Sequence, residues 1–168
     1  KGSNKSLDFS IESSVNNRLD SFGYKSSKSG ISLGSGYEAY EDFRLNIGVS
    51  SFIEDLVTDS TASTKMKAQK GSYFDTFFNY SLDYDKRDQR FQTTDGFRST
   101  FSQNIPLISE SYSLTNRYDY KYYSTWLKEN VATIGFYGST ITSLTGGDVK
   151  LSERIHLPTR KLRGFEAG

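Results

Sequence analysis

Three groups of residues in this chain have types and spacing that chemistry could use. The first is Tyr84-Asp85-Lys86-Arg87-Asp88-Gln89-Arg90-Phe91-Gln92-Thr93-Thr94-Asp95-Gly96, where carboxylates alternate with guanidinium groups and a closing Asp-Gly favours a turn. Such a run can pair its charges within a solvated turn, or offer Asp83, Asp85 and Asp88 to a calcium ion. An EF-hand-like loop needs an oxygen ligand where Arg87 stands and a glycine where Asp88 stands, so the charged turn is the better reading. The second group is the run from Leu151 to Gly168, in which Arg160, Lys161 and Arg163 precede Gly164, Phe165 and Glu166. Taken alone, Leu-Arg-Gly-Phe is too common a tetrapeptide to carry meaning. The third group is scattered. His156 has no cysteine and no second histidine with which to share a metal. Gly34-Ser35-Gly36-Tyr37-Glu38-Ala39 loosely fits a dinucleotide fingerprint, but no helix or βαβ unit follows it. No motif sets a histidine or lysine base beside any of the serines, so nucleophilic catalysis has no support. No enzyme, cofactor or metal site is expected.

The elements that carry these groups are announced by composition. The 168 residues hold 21 Lys+Arg against 20 Asp+Glu, and a net charge of +1 gives no field that favours nucleic acid. Twelve Tyr, twelve Phe and Trp126 sit in a chain whose mean hydropathy is −0.61. A packed soluble core would bring more Leu, Ile and Val with so many rings. Rings on a background of Ser, Thr, Asn and Gly suit a sheet with one apolar and one wet face. No stretch approaches the roughly 18 apolar residues of a membrane-spanning helix. Lys1 is not an initiator methionine and no signal peptide is visible, so the chain reads as an internal piece of a longer secreted protein. The absence of cysteine is compatible with an oxidising compartment.

The dominant period is two. Leu7, Phe9 and Ile11 alternate with Asp8, Ser10 and Glu12, and Phe43, Leu45, Ile47 and Val49 alternate with Arg44, Asn46, Gly48 and Ser50. Phe78, Tyr80 and Leu82 oppose Asn79, Ser81 and Asp83 in the same way. This alternation predicts about seven strands, at 6–15, 28–37, 41–54, 72–85, 96–106, 111–125 and 131–142. Several exceed the length usual in a soluble sandwich and reach what a tilted strand needs to cross a membrane. Long polar connections are expected at 16–27, 55–71 and 143–168, and short ones at 38–40 and 126–130. Two others, long at 86–95 and short at 107–110, break a strict alternation. Phe74, Phe78, Tyr80, Leu82, Phe97, Phe101, Ile134 and Phe136 should share one face. Asp75, Asn79, Asp83, Arg98, Arg117, Asp119 and Lys121 should share the other. The 111–125 strand is harder to orient, because tyrosines occupy both parities near its end.

The charged turn and the terminal run, in this order and on strands, resemble the barrel of the bacterial surface-antigen (BamA) superfamily of outer-membrane protein assembly factors. That family carries a Tyr-Asp-x-Arg-Asp-x-x-Phe-x-Pro-Thr-x-Gly turn. Asp85, Arg87, Asp88, Phe91, Thr94 and Gly96 match it, while Thr93 stands where the family usually has proline. The family also has a long external loop ending in Arg-Gly-Phe or Arg-Gly-Tyr, matched by Arg163, Gly164 and Phe165, with Glu166 following. Pro158-Thr159 occupies the place of its usual Gly-Gly pair.

The resemblance implies an all-β fold, a partial antiparallel transmembrane β-barrel across 1–168 with about seven of about sixteen strands. The remaining strands, and periplasmic modules for docking substrates, would come from elsewhere in the parent protein. It implies an outer-membrane location and a role in folding and inserting β-barrel proteins. The implied partners are the lipid bilayer, the remaining barrel strands, unfolded client proteins and accessory lipoproteins, with no nucleic acid. The charged turn would face the periplasm, and Arg163 would hold the terminal loop inside the lumen through its planar fork. Rival readings are a translocation or two-partner secretion pore of the same superfamily, a porin or barrel enzyme, and a soluble adhesive β-sandwich.

Overall fold

A computed structural model describes residues 5–19, 23–127 and 130–155. It contains seven strands: β1 (Lys5–Arg18), β2 (Tyr24–Tyr40), β3 (Phe43–Thr58), β4 (Gly71–Asp85), β5 (Gly96–Ile108), β6 (Ser113–Leu127) and β7 (Asn130–Ser143). They form one sheet in sequence order, every neighbouring pair antiparallel. A single helical turn, α1 (Thr64–Lys67), lies in the β3–β4 connection, and a 3-10 turn (Leu151–Glu153) follows β7. Among the described residues β1 and β7 each pair on one side only.

All seven expected strands are present, and most run longer than their alternation. The chief difference is the 16–27 connection. β1 continues to Arg18 and β2 resumes at Tyr24, paired up to Arg18↔Tyr24. Here Ser26, Ser27 and Asn16 are polar on both faces, so the ladder carries on where hydrophobic contrast has already faded. At the other end of β2 the connection shrinks to Glu41-Asp42, with Asp42 at φ 63° and a bulge between Glu38 and Tyr40. Aspartate tolerates that left-handed conformation better than most residues.

Register sorts the side chains as the alternation predicts. One face carries Arg44, Asn46, Ser50, Asn79, Ser81, Asp83, Arg98, Arg117 and Asp119; Asn79 donates to Ser50 at 2.8 Å and Asn46 to Ser81 at 3.1 Å. Tyr118, Tyr120 and Tyr122 fall on the opposite face and Tyr123 with the polar set, which settles the orientation of β6. The polar face is concave: a cavity of about 740 Å³ takes lining side chains from six successive strands, Lys28 on β2 through Tyr137 on β7.

The apolar face is uncovered. Phe9 is 64% and Ile134 68% exposed, and the buried apolar residues are only Tyr24, Leu56, Ala62 and Leu151 among those described. Rings on this face touch across strands in series: Phe43–Tyr84 at 6.4 Å, Tyr84–Phe97 at 5.5 Å and Phe97–Tyr120 at 5.9 Å between centroids. A sheet concave on its wet side and bare on its apolar side has its missing packing partner outside itself, as lipid supplies in a transmembrane barrel.

Candidate functional site

The charged turn between β4 and β5 builds itself from its own sequence. The Asp85 carboxylate accepts from both Nε and Nη2 of Arg87 at 2.7 Å, a bidentate pair two residues apart. Asp88 sits across the turn and accepts from the Thr94 hydroxyl at 2.5 Å, the Thr94 amide at 3.0 Å and the Asp95 amide at 3.2 Å. Those donors, the Thr94 hydroxyl foremost, hold its carboxyl down at about 2. The chain closes where the Lys86 amide reaches the Phe97 carbonyl at 2.8 Å. Gly96 is at φ +97°, and a Cβ there would collide with the Lys86 carbonyl oxygen, so the closing residue has to be glycine. Thr93, at the proline position of the matching motif, donates to the Gln89 carbonyl at 2.7 Å. Thr125 of β6 donates to the Thr94 carbonyl at 3.0 Å and ties the turn to its neighbour strand.

Asp85, Arg87, Asp88, Thr94 and Gly96 therefore meet in one turn. Phe91 does not join them; its ring is 87% exposed. Beside the turn lies a cavity of about 500 Å³ lined by Glu38, Arg44, Asp83 and Arg98 among others. Here Arg98 grips Asp83 through two bonds of 2.9 and 2.8 Å, and Thr100 adds a third at 3.0 Å. Asp85 and Asp83 each answer an arginine, and Arg44 donates to Asn46 and Ser6, which suits holding a shape rather than moving a proton. Arg163, Gly164, Phe165 and Glu166, and His156 with them, lie outside the described residues.

A second charged group, which spacing along the chain does not disclose, sits at the opposite end of the sheet. Lys150 lies beyond β7 and is 2% exposed. Its Nζ is 2.5 Å from Asp75 on β4, 3.7 Å from Glu54 on β3 and 3.9 Å from Glu153, and it stands 4.3 Å from the centre of the Tyr73 ring. Asp75 and Glu54 are each 1% exposed. Ser109 donates to Asp75 at 2.6 Å, Ser152 donates to Glu54 at 2.9 Å, and Ser26 also donates to Glu54. Ser113 on β6 donates to Glu153. The next residue, Leu151, sends its amide to Gln69 Oε1 at 2.9 Å and packs its side chain with Tyr24 and Leu56, against which Met66 and Tyr73 also lie. Asp75 was legible as a wet-face residue. Its partner, 75 positions away, was not.

No curated protein matches the chain. A family model described as the Omp85 superfamily domain matches residues 1–168.

Proposed function

The chain belongs to the Omp85 superfamily, outer-membrane β-barrel proteins that insert or translocate polypeptides, and from that we propose that it is the membrane-embedded part of a factor that folds and inserts β-barrel proteins. The reading is supported chiefly by the β4–β5 turn. Its Asp85–Arg87 pair, Asp88 bracket and Gly96 closure give structural reasons for the residues on which the surface-antigen resemblance rests. The turn then faces the periplasm, and the loop after β7 starts on the external side, because β5, β6 and β7 cross three times between them.

No catalytic role is proposed. Work comes from the folding free energy of the client strands, and the barrel supplies a template and a wet interior. Arg163 anchors the end of the external loop on the inner wall, where a guanidinium can make a charged, planar contact that an ammonium cannot reproduce. Unfolded client barrels and accessory lipoproteins are the partners of this reading.

Depletion of the full-length protein in its own cell tests it. The expected result is loss of folded, heat-modifiable client barrels from the outer membrane before any secreted polypeptide declines. Loss of one secreted polypeptide with normal barrel levels would instead assign the chain to the translocation branch. Arg163→Ala and Arg163→Lys should lower client levels similarly, while Arg160→Ala should be nearly silent.

A further inference from the structure

Burying an ammonium is costly unless partners meet it, so Lys150 can rest at 2% exposure only while its segment is held against the wall. Six residues, Leu144 to Val149, separate the end of β7 from Lys150. Fully extended they reach about 23 Å, while β7 to β4 is about 14 Å across the sheet and β7 to β3 about 19 Å. The strap is therefore long enough to pass over β6 and β5 to its seat on β4 and β3. The seat is preformed by the strands: Ser26 holds Glu54, and Ser109, just past β5, holds Asp75 at 2.6 Å, without help from the strap.

We propose that Lys150 is a latch: its ammonium, seated between Asp75 and Glu54, holds the strap 144–155 over the concave polar face at the loop end. Three carboxylates, Glu54, Asp75 and Glu153, face this single ammonium. Withdrawing it leaves them repelling one another, so a strap without its ammonium does not stay half seated. Leu151 leaves its apolar contacts at the same step, which makes release cooperative. The latch lies on β3 and β4 and is separate from the Arg163 motif. The inference takes the barrel reading as given but concerns closure of the polar face, so it can fail while client assembly stands, and the reverse.

The test uses the full-length protein in planar bilayers, with amide exchange in detergent micelles and heat-shifted gel mobility to report folding. In wild type, amides of 150–153 should exchange at least tenfold more slowly than those of 145–148, Leu144 being left out because its amide donates to the Tyr112 carbonyl at 2.8 Å. Lys150→Met keeps the bulk of the stem and loses the charge. It should erase that difference and raise mean conductance at least twofold at unchanged heat-shifted mobility. Asp75→Asn should move both readouts part of the way, and the double variant should be no more open than Lys150→Met alone. If Lys150→Met does not fold, Asp75→Asn carries the test by the same two readouts. Folded variants with wild-type conductance and exchange would overturn the latch, as would additive effects in the double variant. Equal exchange across 145–153 in wild type would overturn it without any variant.

Discussion

The carboxylate of Asp88 accepts three hydrogen bonds from Thr94 and Asp95, and a charged acceptor satisfied this way resists protonation. Its folded value, about 2, lies below the roughly 3.9 of a free aspartate. The sign follows: the bracket is at full strength above about pH 4 and weakens as pH falls toward about 2, where the group protonates in the turn itself. Amide exchange of the Thr94 and Asp95 N–H groups should therefore stay slow through pH 4 and accelerate only near pH 2. Thr94→Val removes the largest of these donors and should move that acceleration upward by a measurable fraction of a pH unit. An unchanged profile in Thr94→Val would leave the hydroxyl without the role assigned to it. Arg87 contributes differently: its bidentate bond holds the Asp85 carboxyl below the usual carboxylate range and fixes the strand end rather than the loop.

At the scale of the strand, the two faces set how a new charge is tolerated. Phe101 lies on the apolar face between Leu82 and Tyr118, and Asn104 lies on the polar face, lining the 740 Å³ cavity with Asn79 and Thr115 beside it. Phe101→Arg should cost about 2–4 kcal/mol near mid-membrane, whereas Asn104→Arg should cost well under half of that. Urea unfolding of the reconstituted full-length protein measures both, and equal losses would contradict the assignment of faces. The same contrast explains what could be read from sequence. Where rings and aliphatics alternate with polar residues, as at Phe43–Val49 and Phe78–Leu82, strand and face are both legible. Where both faces are polar, as at Asn16–Arg18 and Lys25–Ser27, hydrogen bonding continues without any hydrophobic signal, so the ends of β1 and β2 are not. The Asp85–Gly96 turn was legible because its contacts are local. The Lys150 seat was not, because Glu54, Asp75 and Lys150 meet only through tertiary geometry and no spacing rule links them.

For the whole molecule, the register fixes how the sheet must lie in a bilayer. Phe9, central to the apolar band on β1, connects through Leu33, Val49 and Phe78 to Ile105 on β5. Ile134, central to the band on β7, connects through Tyr122 to Phe97 on that same strand. The two centres thus fall eight residues apart on β5, although lipid must hold them at one depth. Eight residues are about 27 Å along the strand, and the six steps from β1 to β7 are about 29 Å across. The strands must then tilt by about 40°, inside the roughly 35–45° of transmembrane barrels. A flat sandwich in water has no reason to slide its apolar band along the register in this way. Single tryptophans placed at Phe9, Ile134 and Ile105, with every native tryptophan, Trp126 among them, replaced by phenylalanine, check it in the reconstituted full-length protein. Lipids brominated near the bilayer centre should quench positions 9 and 134 alike. Position 105, about four residues above the band centre on β5, should lie about 10 Å shallower and be quenched much less. Equal quenching of 9 and 105 with unlike quenching of 134 would mean that depth follows the hydrogen-bond rows instead, and the tilted-barrel placement would have to be given up.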